Sequence, residues 1–83
     1  MQLFFMPKVI IYSTPTCVYC KMAKEFFAKN NVPYTEHNVA EDENALEEMV
    51  SKSHQMGVPV VDIDGKIFVG FNKKGIAEAL HIQ

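Results

Sequence analysis

The chain has 83 residues, 48% of them apolar, and carries 8 lysines, no arginine and 10 acids for a net charge of −2. That suffices for one small domain with a core and excludes a disordered tail. With no arginine and no basic block, nucleic acid is not an expected partner. No apolar run approaches the roughly 20 residues of a membrane-spanning helix, so a membrane is not expected either.

The opening stretch Met1-Gln2-Leu3-Phe4-Phe5-Met6-Pro7 is apolar. It is too short for a secretory signal and has no small-residue cleavage site. It reads as a frayed extension, residues 1–7, of a single domain spanning 1–83, with Met6 as an alternative start. Lys8-Val9-Ile10-Ile11-Tyr12 is a β-branched run without alternation, the pattern of a central strand buried on both faces. Ser13-Thr14-Pro15-Thr16 ends it with turn chemistry. Tyr19, Met22, Ala23, Phe26 and Phe27 then recur at helical spacing, with lysines and Glu25 between them. Asn30-Asn31 and Pro33 stop that helix.

Tyr34 to Val39 reads as a second, more polar strand near a sheet edge. Glu41-Asp42-Glu43 crowds acids into the first turn of a second helix, where the macrodipole favours them. Leu46, Met49 and Val50 give it an apolar stripe, and Gly57 is its expected stop. Val58 to Ile63 is a third strand. Asp64-Gly65 is a strong hairpin signal, so Lys66-Ile67-Phe68-Val69 should pair antiparallel with that strand. Gly70-Phe71 is a bend, and Asn72 caps a last helix carrying Ile76, Ala77 and Leu80. The first two strands and the helix between them make a parallel, right-handed βαβ unit. The expected fold is α/β, a four-stranded mixed sheet flanked by three helices in the order βαβαββα. Phe26, Phe27, Leu46, Ile63, Phe68, Ile76 and Leu80 are the expected core, with His54 and His81 at the surface.

Cys17-Val18-Tyr19-Cys20 falls where a buried strand ends and a helix begins. A helix N-terminus offers unpaired N–H groups and partial positive charge, and both favour thiolate. Cys17, at the cap, is therefore the expected nucleophile, with a pKa drawn below the free value near 8.5. Cys20, at i+3 on the same side, can close a small disulfide ring with it. More buried and further from the helix end, Cys20 is the expected resolving thiol. Attack by Cys17 on a disulfide, followed by attack of Cys20 on Cys17, needs no metal and no organic cofactor. Zinc is the competing reading, but it needs about four ligands. His37, His54 and His81 show no ligand spacing around the cysteines. A purely structural disulfide is the third reading. Two cysteines do not make a stapled secreted scaffold, so the reducing cytosol is the expected compartment.

Tyr12 to Cys20, Gly57-Val58-Pro59 and Gly70-Phe71 together resemble the glutaredoxin family within the thioredoxin-like fold, over Lys8 to about His81. The resemblance implies a dithiol oxidoreductase with Cys17 as nucleophile, Cys20 as resolving thiol and a cis Pro59. It also implies a groove beside the cysteines for glutathione, a co-substrate rather than a bound cofactor. Its candidate contacts here are Thr14, Thr16, Tyr19, Gln55, the Val58 backbone, Pro59, Gly70, Phe71 and Asn72. The chain departs from the family in three places. Val18 replaces the usual proline between the cysteines. Thr14 stands where many glutaredoxins have lysine. Val69-Gly70-Phe71-Asn72-Lys73 lacks the acid that would face the glutathione amine. A non-proline after Cys17 and the Gly70-Phe71 ending also look like the small glutaredoxin-like redoxins, which draw electrons from thioredoxin reductase. The implied partners are thus a protein disulfide substrate and either glutathione or thioredoxin reductase as donor, with the chain a monomer. The alternatives are a glutathione-dependent iron–sulfur cluster carrier, against which Cys20 argues, and a non-catalytic redox adaptor.

Several side chains carry two readings each. Tyr19 is a substrate-groove wall or an aromatic packed at a helix start. Lys21 holds the thiolate or is a solvated helix-face residue. Thr16 donates a hydroxyl to Cys17 or serves the turn. Phe71 meets a reductase or caps the core. The acids from Glu41 to Glu48 form a solvated helix face or steer a basic partner.

Overall fold

The computed structural model describes residues 7–82; of the expected extension 1–7, all but Pro7 lies outside the described residues. The elements follow as β1 (Val9–Ser13), α1 (Val18–Lys29), β2 (Thr35–Asn38), α2 (Glu43–Ser53), β3 (Val60–Ile63), β4 (Lys66–Val69) and α3 (Lys73–Leu80). The sheet order is β2-β1-β3-β4, with β1 and β2 parallel and the other two pairings antiparallel. This is the expected βαβαββα arrangement, a thioredoxin-like fold. The polar β2 lies at an edge, while β1 and β3, richest in β-branched residues, lie inside.

Strand alternation sorts β1 onto two cores. Val9 and Ile11 face α1 and α3, in a cluster with Ala23, Phe27, Val61, Ile63, Ile76 and Leu80. Tyr12 faces α2, in a cluster with Val39, Ala45, Met49 and Val60. Each helix thus buries one apolar stripe against one sheet face. Leu46 and Phe68, expected in the core, are only half-buried against these clusters. The apolar stripe of α1 also outruns the core. Tyr19 is 61% and Met22 42% exposed, whereas Cys20, Ala23, Phe26 and Phe27 are buried, so the core covers a narrower face of the helix than the apolar residues span.

Local chemistry sets most boundaries. Asn31 takes the left-handed conformation after α1 (φ 57°), and Val32 and Asn31 donate back to the Phe27 and Ala28 carbonyls at 2.8 and 3.2 Å. Asp64 and Gly65 both have positive φ (52° and 92°), the turn that matches strand twist in a two-residue hairpin.

Two expected boundaries move. The left-handed residue closing α2 is His54 (φ 60°, ψ 30°), three residues before Gly57. Gly57 serves a close approach instead: a Cβ there would lie 2.8 Å from Gln55 Oε1, which accepts the Gly57 N–H at 2.6 Å. Strand β3 begins at Val60 rather than Val58, because Pro59 has no N–H to give a ladder; the Val58–Pro59 peptide bond is cis.

Candidate active site

Register places four loops at one end of the sheet. Tyr12 lies opposite Val60, Val60 opposite Val69, and Ser13 beside Asn38. The segment leaving β1 toward Cys17, the Val58–Pro59 segment entering β3 and the Gly70 bend leaving β4 therefore emerge side by side. Gly70, with φ +80°, donates its N–H to the Pro59 carbonyl at 2.8 Å, tying two of these loops together. Asn72 then accepts the Gly75 N–H at 3.0 Å and caps α3, as expected.

Cys17 is the N-cap of α1, held by its N–H to the Thr14 carbonyl at 3.3 Å. Its Sγ accepts the Cys20 N–H at 3.0 Å and is disulfide-bonded to Cys20. The pair is asymmetric: Cys20 is fully buried, whereas Cys17 is partly open to solvent. A sulfur at the cap takes one of the orphan N–H groups of the helix, the contact that favours negative charge on it once reduced.

The other expected site residues separate into groups. Val58, Pro59, Gly70, Phe71 and Asn72 share the sheet end with the cysteines. Among the described residues, the Val58 backbone N–H and C=O enter no hydrogen bond. Thr14 lends its carbonyl to Cys17, while Thr16 is exposed with no hydrogen bond to the sulfur. Tyr19 stands in solvent rather than packed at the helix start. Phe71 stacks tilted on Phe26, ring centroids 5.8 Å apart, and is half-buried. Lys21 is exposed and makes no described contact with Cys17. The Gln55 amide is turned inward: it donates to Ser53 Oγ and the Gly57 carbonyl and accepts from Gly57 N. Its hydrogen-bonding groups thus hold the loop before Val58. Among the described residues, no group of three His, Cys, Asp or Glu is arranged to hold a metal ion, and no helix is long and apolar enough to cross a membrane.

On the α2 face of the sheet, running from Tyr12 back toward the β3–β4 hairpin, lies a polar network that the sequence expectations do not include. The Tyr12 hydroxyl donates to Glu48, and Lys52 donates to Tyr12 Oη at 2.8 Å and to Asp62 Oδ2 at 2.7 Å. Asp62, only 7% exposed, also accepts the Gly65 N–H at 2.7 Å. Burial, then the hydrogen bond to Glu48, raises the Tyr12 pKa; the Tyr12 hydrogen bond lowers that of Glu48. Burial pulls the Lys52 ammonium down, but its bonds to Asp62 and Tyr12 outweigh this and raise its pKa. The network ties α2 to β1 and β3. The available signal was Asp62 itself, an acid within a strand apolar on both faces, which implies a buried partner. On the other face Glu36 accepts from Lys24 and Ser13, at 2.8 and 2.7 Å, and these bonds lower its pKa.

The glutaredoxin family model matches residues 9–69, which include both cysteines, Pro59 and all four strands. This chain belongs to the glutaredoxin family. It is 54% identical over 66 residues to an uncharacterized glutaredoxin-like 8.6 kDa protein in a rubredoxin operon of Clostridium pasteurianum, covering 80% of this chain and 88% of that protein. A glutaredoxin-like protein NrdH of Lactococcus lactis subsp. cremoris is 27% identical over 70 residues, covering 84% of this chain and 96% of its own length. The crystal structure of a glutaredoxin from Archaeoglobus fulgidus superposes with a TM-score of 0.81 at 26% identity, covering 90% of this chain and 87% of that one. The protein is thus a glutaredoxin-like redox protein with a Cys-x-x-Cys disulfide.

Proposed function

We propose that this glutaredoxin-like protein is a dithiol thiol–disulfide oxidoreductase that reduces disulfides in proteins or small molecules. The observation that carries this reading is the asymmetric pair at the start of α1: a half-open Cys17 that caps the helix, disulfide-bonded to a fully buried Cys20. In the reduced protein the Cys17 thiolate attacks one sulfur of the substrate disulfide and expels the other as a thiolate, which takes a proton. Deprotonated Cys20 then attacks Cys17 Sγ, releases the second substrate thiol and leaves the Cys17–Cys20 disulfide. Two electrons pass from the dithiol to the substrate. The cycle uses no metal or organic cofactor, and an outside donor restores the dithiol. The setting it suits is a reducing cytosol.

Two donors fit the chain, glutathione and thioredoxin reductase. The inward-turned Gln55 amide and the lysine at the start of α3, where an acid would meet the glutathione amine, weigh toward the reductase. The test is NADPH oxidation in two coupled assays on a small disulfide, one with glutathione and glutathione reductase, the other with thioredoxin reductase alone. Turnover in the second only supports the reductase; turnover in the first only makes glutathione the donor. Turnover in neither, or turnover that survives Cys17→Ser, overturns the oxidoreductase reading.

A further inference from the structure

The first turns of α1 present more apolar surface than a core-packing helix needs. Val18, Tyr19 and Met22 are 68, 61 and 42% exposed, and they begin immediately beside Cys17. Val18, Met22, Glu25 and Lys29 follow at spacings of four, three and four, so they lie along one stripe. The stripe runs about 16 Å from the cysteine end toward the far end of the helix. Halfway along it opens a groove of about 210 Å³ between α1 and the start of α3, lined by Met22, Glu25, Phe26, Lys29, Phe71 and Lys73.

Three features say what the groove takes. Its floor is aromatic: Phe26 and Phe71 meet there, at 5.8 Å between centroids. Its rim is cationic on balance, two lysines against one acid, in a chain whose net charge is negative. The Lys73 ammonium lies over the Phe26 ring at 5.7 Å, and among the described residues neither Lys29 nor Lys73 is in an ion pair. Its volume falls below the roughly 300–1,000 Å³ of small-molecule clefts and suits one or two side chains. An extended segment advancing about 3.3 Å per residue spans the stripe in about five residues.

We infer that this face of α1 is a substrate-docking track. Its occupant is an extended segment of a protein disulfide substrate, with an apolar side chain for the Phe26–Phe71 floor and acids that reach Lys29 and Lys73 about four to five residues from the reacting cysteine. This rests on the dithiol reading and names its substrate class. The occupant's reacting sulfur sits at Cys17 while its flanking residues follow the stripe.

The test uses pre-reduced full-length protein and synthetic peptides whose single cysteine is disulfide-bonded to a coloured aromatic thiol. Cys17 attacks the peptide sulfur and releases the aromatic thiolate, read by absorbance; Cys20 then displaces the peptide as a free thiol. Three peptides share an apolar residue and differ at positions four and five from the cysteine: two Asp, two Asn or two Lys. Each rate is divided by that of the same peptide with free dithiothreitol, which removes the intrinsic effect of peptide charge. The wild type is expected to favour the Asp peptide over the Asn peptide about fivefold, the scale of two exposed ion pairs. The preference should shrink as salt is added. Lys29→Glu combined with Lys73→Glu should turn it toward the Lys peptide, and the single variants Lys29→Gln and Lys73→Gln should each remove part of it. Equal rates on the three peptides, or a preference that these substitutions leave intact, overturn the docking track while leaving the oxidoreductase reading in place. Failure of that reading looks different: no release from any peptide above the level of Cys17→Ser.

Discussion

Removing the Lys52 ammonium tests whether the buried network holds β3 in place. In Lys52→Met the aliphatic stem is kept and the charge is lost. Asp62, 7% exposed, then keeps only the Gly65 N–H, and Tyr12 keeps only Glu48. Stranding one partner of a fully buried ion pair costs roughly 3–5 kcal/mol. Here the Lys52 side chain is 29% exposed, so water reaches part of the vacated site. The remaining Gly65 bond also solvates the carboxylate. Together these bring the expected loss to about 2–3 kcal/mol. For a domain of this size that is a fall in Tm of roughly 10–20 °C. Adding Asp62→Asn removes the stranded charge, so the double variant should regain at least about 1 kcal/mol relative to additivity. The assay is urea unfolding of the oxidised protein followed by far-UV circular dichroism, on the wild type, both single variants and the double. A loss below about 0.5 kcal/mol in Lys52→Met, or strictly additive costs, would refute the reasoning.

Three further outcomes follow from the geometry. Cys20→Ser should accumulate a stable Cys17–substrate mixed disulfide, visible by mass spectrometry, whereas Cys17→Ser should form none; trapping on residue 20 would reverse the assigned roles. The urea midpoint should fall at both pH extremes. Tyr12 and Lys52 have folded pKa values raised above 10.0 and 10.5, so their contribution is full below those values and is lost as pH rises through the folded ones. Glu36 and Glu48 are lowered from 4.5, so theirs is full above that value and is lost as pH falls below it. An alkaline limb unchanged in Lys52→Met would count against the first half, and an acid limb unchanged in Glu36→Gln combined with Glu48→Gln against the second. Finally, His54→Gly should stabilise the protein by about 0.5–1 kcal/mol, because His54 is exposed and holds φ 60° at the end of α2. A lower Tm in that variant would mean that the imidazole makes a contribution of its own.

Much of the fold was legible because its signals are local. A helical period of apolar residues, two asparagines at a helix end, Asp64-Gly65 between strand-like runs and an Asn before the last helix each act within a few residues. The structure places the corresponding elements within one or two residues of expectation. The location of Cys-Val-Tyr-Cys at a strand–helix junction was equally local, and with it the cap position of Cys17 and the reach of Cys20.

What needed the folded molecule were the choices made by distant partners. Gly57 looked like the end of α2, but the side chain of Gln55 occupies the space beside it and His54 takes the left-handed turn instead. Gln55 looked available to a ligand, yet its amide is used within its own loop. Asp62 finds Lys52 across ten residues, and Lys52 finds Tyr12 across forty. Whether Tyr19 and Met22 belonged to the core could not be read from their spacing, since a helical period shows which residues share a face and not how far around the helix the core reaches. Sequence alone determined the elements, their order and the redox pair, because hydrogen-bonding and apolar periods act along the chain. Tertiary structure alone decided which polar groups are buried together and which apolar side chains stay outside, because those depend on which surfaces meet once the sheet has formed.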